Sequence, residues 1–247
     1  MVMTRAGLIV VGMLLAGAPA VHASTLPLRP IGATQRLGNE RLSDERTITR
    51  FTNANRRATA RARPANDGRP IAKLRFWTED QFTEVYIALQ SRRVDGETWI
   101  QVRLPGRPNG RKGWVPRWAL RDLRVTRLRL EVDRRSLRAR LLDDGKVVWK
   151  SRVGVGKAST PTPAGHFWIR EKARFGSASG AYGPVAFGTA AYSILSDWPR
   201  GGVVGIHGTN APQLIPGRPS HGCIRVPNRK ILQLEKRLRI GTPLIIT

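Results

Sequence analysis

Cysteine is nearly absent: the 247 residues contain one, Cys223. An internal disulfide is therefore excluded, and so is any multi-cysteine metal centre. Histidine is scarce at four residues, and acidic side chains number 17 against 43 lysines and arginines. The resulting formal charge of +26 would point to nucleic acid in a cytoplasmic protein. Here no helix-turn-helix, zinc-finger spacing or base-stacking motif accompanies the charge, so an acidic cell-envelope polymer or membrane surface is the better partner. Long apolar runs are lacking too. The apolar run at 6–18 is shorter than the roughly 20 residues that cross a bilayer.

That run fits an export signal instead. A short basic start precedes it, and Val21-His22-Ala23 forms a small-x-small cleavage site. No cysteine follows, which excludes a lipid-modified N-terminus. The mature chain is expected to begin near Ser24, with no transmembrane span after cleavage, and to work in the periplasm or cell wall.

The remaining sequence divides by composition. Residues 24–66 are rich in Arg, Thr, Asn and Ala with no sustained apolar period, and read as a basic disordered linker that tethers the chain to anionic wall polymers. A short helix around 43–53 is an option there. Residues 67–122 change to short β segments separated by turns such as Asp95-Gly96, ending in Gly113-Trp114-Val115-Pro116. Trp77, Trp99, Trp114 and Trp118 are expected mainly to fill a small core. From 124 to 247 a second β-rich unit follows. Leu128 to Val132 and Leu137 to Leu142 alternate, Asp143-Asp144-Gly145-Lys146 reads as a hairpin turn, and further strands are expected at 147–155, 165–170, 202–207 and 242–247. One helix is signalled, with Asn228 as N-cap, Ile231, Leu234 and Leu238 on one face, and Gly241 as stop. The fold class is mostly β: a small barrel, then a β-sandwich with one packed helix.

The lone cysteine carries the chemistry. In an exported protein a spare thiol is an oxidation liability, so one flanked by glycine in Ser220-His221-Gly222-Cys223-Ile224-Arg225 reads as a nucleophile. A free thiol near pKa 8.5 is only a few per cent ionised at neutral pH, so it needs a partner. His207, sixteen residues earlier (223 − 207), follows an apolar run and should sit at a strand end, where it would act as general base in a thiolate–imidazolium pair. His221 competes for that role if the backbone curls, or orients the site. The amides of Gly222 and Cys223 are candidates to face an oxyanion. Arg225 suits a carboxylate clamp, against the alternative of an ordinary surface charge. A metal site would have only Cys223, His207, His221 and His166 to draw on, with no paired ligand spacing, so none is expected.

His207-Gly208-Thr209-Asn210 followed by Ser220-His221-Gly222-Cys223-Ile224-Arg225 and Asn228 resembles the signature of the L,D-transpeptidase (YkuD-like) catalytic domain. Gly154-Val155-Gly156 leading to Thr160-Pro161-Thr162-Pro163-Ala164-Gly165-His166-Phe167 resembles that family's second recurrent block. The likeness covers about 120 residues, 124–247. The preceding segment, 67–122, resembles a bacterial SH3-like domain through its Gly-Trp-Val turn. Twelve residues separate His207 from Ser220, fewer than in longer-lidded members, which implies a more open cleft. The resemblance implies a cell-wall enzyme without metal or organic cofactor. Cys223 would attack a peptidoglycan tetrapeptide stem, release D-alanine and form a thioester. An amine would resolve it as a 3→3 cross-link, or water as L,D-carboxypeptidase trimming. Ser220, Gly208 and Thr209 are then expected near substrate, and carbapenem acylation is an expected liability. A non-catalytic wall-binding protein is the alternative from another class.

Overall fold

The computed structural model describes residues 29–197 and 199–247, and its regular structure is mostly strand. The expected signal segment, 1–23, lies outside the described residues. Eight short strands form an N-terminal sheet: β1 (Glu40–Arg41), β2 (Thr49–Thr52), β3 (Thr59–Arg61), β4 (Pro70–Lys73), β5 (Tyr86–Val94), β6 (Glu97–Arg103), β7 (Lys112–Pro116) and β8 (Arg124–Thr126). Their order is β4-β3-β7-β6-β5-β2-β8, with β1 also on β5. Asp95 and Gly96, both at positive φ (49° and 79°), make the tight turn between β5 and β6.

This sheet corrects two expectations. Residues 29–66 are not a disordered linker, nor does 43–53 form a helix. The segment supplies β1, β2 and β3 and buries Ile31, Leu37, Leu42, Ile48, Phe51, Ala54 and Ala60. Strands of two to four residues are too short to show a period in sequence, and their partners β5, β7 and β8 lie far along the chain. The barrel-like segment 67–122 therefore does not stand alone, and the strand beginning at Arg124 belongs to this sheet rather than to the next. Trp99 and Trp114 are core residues, but Trp77 and Trp118 are about half exposed.

Ten strands make the C-terminal unit: β9 (Leu128–Asp133), β10 (Arg138–Asp143), β11 (Lys146–Arg152), β12 (Gly154–Gly156), β13 (Gly165–Arg174), β14 (Val185–Tyr192), β15 (Val203–His207), β16 (Gly217–Ser220), β17 (Ile224–Arg225) and β18 (Pro243–Ile246). The order is β11-β10-β9-β18-β13-β14-β15-β17-β12-β16. The first half of β13 pairs with β18, and the second half, after a register shift at Ile169 to Glu171, pairs with β14. That bend folds the sheet onto one core. Leu130, Val132, Leu141, Leu244 and Ile246 meet Val185, Phe187, Val204, Ile206 and Ile224 there, together with Ile231 and Leu234 of the single helix, α1 (Asn228–Glu235).

Ile231 and Leu234 face the core as the spacing predicts, but the helix ends at Glu235, so Leu238 reaches the core from beyond it, Gly241 is not its stop, and the cap differs too. Pro227 takes the cap position and Asn228 is the first helical residue, its side chain turned elsewhere. Gly241 stands at φ +84°, and a Cβ there would lie 2.3 Å from the Phe51 ring. The two sheets are thus packed tightly. Trp168 joins Phe51, Val85 and Ile87 in a shared cluster and donates to the Val85 carbonyl at 2.8 Å. Beside it Arg170, buried, grips Glu84 with two hydrogen bonds (2.8 and 2.6 Å) and Glu79 with a third (2.9 Å).

Candidate active site

β15 ends at His207 and runs parallel to β17, with Ile206 opposite Ile224 and His207 opposite Arg225. Cys223 immediately precedes β17, so the pairing brings sulfur and imidazole to one end of the sheet. They share a crevice of about 20 Å³ with Tyr182, Ala186, Phe187, Arg200, Val203 and Gly205. That volume holds about one water molecule.

The imidazole is fixed on one side. Its Nδ1 lies 2.6 Å from the Gly208 carbonyl, an oxygen that can only accept, so the proton sits on Nδ1 and Nε2 is left as the basic nitrogen. Tyr182 packs edge-on against the ring, with centroids 4.8 Å apart. Burial pulls the His207 pKa down to about 4, the Gly208 bond opposing and the Arg225 charge assisting. Burial pushes the Cys223 thiol up, against the opposing pull of the Gly205 N–H, 3.3 Å from Sγ, and of Arg225 and Arg200. Both groups therefore rest neutral at pH 7. This differs from the thiolate–imidazolium pair expected from sequence, because the ring is enclosed and the Arg225 charge disfavours a cation on it.

The turn that carries Cys223 is braced from several directions. The buried Ser220 hydroxyl accepts the Gly222 N–H (3.2 Å) and donates to the Cys223 carbonyl (2.6 Å). Ser220 therefore shapes the turn from within. The same bond occupies the Gly222 amide, which corrects its assignment as an oxyanion donor. Gly222 itself has φ +125°, with Ser193 3.1 Å from where a Cβ would be, so a side chain is excluded. Thr162 accepts the Gly156 N–H (2.9 Å) and donates to the Gly222 carbonyl (2.8 Å), tying the second motif block to the first.

The other sequence candidates separate by position. His221 is exposed and is not part of the crevice wall, while its carbonyl accepts from the Ser193 hydroxyl at 3.1 Å. Gly208 and Thr209 are buried. The Thr209 N–H donates to Asn228 Oδ1 (2.8 Å), which anchors the loop after His207. Arg225 is partly buried in β17 and lies outside the lining, although its charge acts on both Cys223 and His207. His166 is an exposed strand side chain 3.8 Å from Glu45. Sequence reasoning missed Tyr182 and Arg200, which close the crevice. Neither stands in a motif, and Arg200 is one arginine among many.

Comparison with known proteins matches the C-terminal unit to a known catalytic domain. The model of the L,D-transpeptidase catalytic domain, YkuD, matches residues 127–246. A Bacillus licheniformis protein, YkuD, named for this family, is 31% identical over 166 residues, covering 64% of this chain and 93% of its own length. Bacillus subtilis YqjB, also named for the family, is 29% identical over 121 residues, 47% of this chain and 69% of that protein. Among solved structures, a mutant form of the Enterococcus faecium L,D-transpeptidase is 28% identical and overlaps 49% of each chain with a TM-score of 0.38, so this chain spans about half the length of that enzyme. The fold and the paired motifs define a sandwich domain with a cysteine and a histidine at one sheet end. The chain belongs to the L,D-transpeptidase (YkuD) family.

Proposed function

We propose that this chain is an exported cysteine L,D-transpeptidase acting on peptidoglycan tetrapeptide stems. The observation that carries the reading is the shared crevice of Cys223 and His207, with Nδ1 of the ring held by a carbonyl and Nε2 left basic. When a stem carbonyl is presented, the thiol proton passes to Nε2 as sulfur bonds to the carbonyl carbon. The C–N bond then breaks, Nε2 returns the proton to the departing D-alanine amine, and a thioester remains. An acceptor amine attacks next and gives up its proton to Nε2. The thiolate leaves and recovers that proton. Of the two amides nominated from sequence, Cys223's own remains to meet the oxyanion. A neutral resting pair suits this order, because charge develops only when substrate is in place.

The N-terminal sheet, described from 29 to about 126, is read as an integral companion of the catalytic unit from about 127 to 247. Its basic surface is matched to anionic wall polymers, and the residues at 1–23 are read as the export signal.

Incubating the mature protein with purified muropeptides and analysing products by mass spectrometry tests the proposal. A 3→3 dimer is expected, along with a thioester-mass adduct on Cys223. A shortened tripeptide alone assigns the carboxypeptidase outcome. Undiminished turnover by Cys223→Ala ends the cysteine mechanism.

A further inference from the structure

The segment between β14 and β15 contributes Arg200 to the crevice that Cys223 and His207 line, and residues of the N-terminal sheet hold that segment in place. Arg107 donates to three of its backbone carbonyls: Ser193 (2.6 Å), Leu195 (3.2 Å) and Gly201 (2.8 Å). Its guanidinium also lies 5.1 Å from the centre of the Tyr192 ring. Asn109 pairs with Tyr192 as a strand would, donating to its carbonyl (2.8 Å) and accepting its N–H (3.0 Å). The segment presents Arg200, whose backbone is left-handed at φ 64° and ψ 27°, a conformation that costs a non-glycine residue energy and persists only where the surroundings impose it. Its Nη2 is held by Asp80, from the stretch between β4 and β5, and by Glu171 at 3.2 Å. Both contacts use one nitrogen, so Nε and Nη1 face no carboxylate among the described residues. The side chain is 35% exposed and lines the crevice with Cys223.

Under the acyl-transfer reading above, on which this inference rests, the departing residue of a tetrapeptide stem carries a free carboxylate three bonds from the attacked carbon. A guanidinium fork is the side chain that best matches such a group. We propose that Arg200 is a specificity-determining residue that receives this terminal carboxylate, and that Asp80 and Arg107 of the N-terminal sheet are the positioning residues that aim it. Arg225, the arginine the sequence nominates, lies outside the wall of that crevice. The N-terminal sheet is then part of the selectivity of the site and not merely a tether.

Two donors separate the claims: a tetrapeptide with a free C-terminal acid, and the same peptide as its C-terminal carboxamide. With the full mature chain, the acid is expected to be preferred in kcat/KM by roughly 10- to 100-fold, as for a hydrogen-bonded charged group. Arg200→Gln should bring the acid-to-amide ratio to near one, and Arg200→Lys should leave it intermediate. Asp80→Asn and Arg107→Gln should lower the ratio through KM for the acid. Alkylation of Cys223 by neutral iodoacetamide should meanwhile stay at the wild-type rate, which a collapsed crevice would not allow. A wild-type ratio near one, or an Arg200→Gln protein that keeps the wild-type ratio, overturns the assignment of Arg200 while leaving the acyl-transfer reading standing. If the wild type turns over neither donor, both fail.

Discussion

Arg170→Met is the sharpest structural perturbation available. The guanidinium is 1% exposed and its partner Glu84 is fully enclosed, so the pair has no recourse to water. Methionine keeps the apolar stem but leaves Glu84 and Glu79 with Arg75 as their remaining ion-pair partner among the described residues, at 2.8 and 3.0 Å from a position 40% exposed. Removing one partner of a buried ion pair costs about 3–5 kcal/mol. For a domain of 150–250 residues each kcal/mol moves Tm by about 2–4 °C, so a fall of roughly 6 to 20 °C is expected at pH 7. Acidity supplies an internal control. Burial would raise the Glu79 carboxyl, but Arg170, the Tyr192 hydroxyl and Arg75 outweigh it and hold the pKa at about 2. A depressed carboxyl contributes stability that is fully present above its unfolded pKa, about 4.3, and lost as pH falls toward 2. The gap in Tm between wild type and variant should therefore hold from pH 8 to 5 and narrow below 4. Thermal unfolding followed by circular dichroism measures both. A gap under about 2 °C at pH 7 would refute the idea that this cluster welds the two sheets together.

Other outcomes follow from the same contacts. Thr162→Val keeps the shape but strands the Gly156 N–H and Gly222 carbonyl, at about 1–3 kcal/mol per buried group, so both Tm and the rate of Cys223 alkylation should fall. Gly241→Ala sets a methyl against the Phe51 ring at a positive φ. It should destabilise the protein, and adding Phe51→Ala should restore part of the loss in a double-mutant melt if the clash is the cause.

Strands with a clear alternation, such as β9 and β10, and the turns at Asp95-Gly96 and Asp144-Gly145 were legible because each signal is local. β14 was not. All eight of its residues are buried, so it has no polar face to alternate, and Gly188 interrupts its apolar run. β1 to β3 were hidden for a different reason: at two to four residues they are too short to show a period, and strands that pair with them come from elsewhere in the chain. At the site, the cysteine and histidine were legible from their rarity and glycine neighbours. Their protonation was not, because burial and the approach of Arg225 and Arg200 exist only after folding. Ser220, Gly208 and Thr209 stood beside the catalytic pair in sequence and turned out to brace it from within. Asn228 read as a helix cap, yet its carbonyl oxygen serves Thr209 and its amide donates to the Ala178 carbonyl.

The pH dependence of donor acylation tests the central pairing most directly. With His207 titrating at about 4 and the thiol raised above its ordinary value, the reactive form is the neutral pair. The profile of kcat/KM for thioester formation on Cys223, read by mass spectrometry, should be flat from about pH 5 to 8 with its acid limb near 4, and His207→Asn should abolish the reaction. An acid limb between pH 6 and 7, or acylation that survives His207→Asn, contradicts the account.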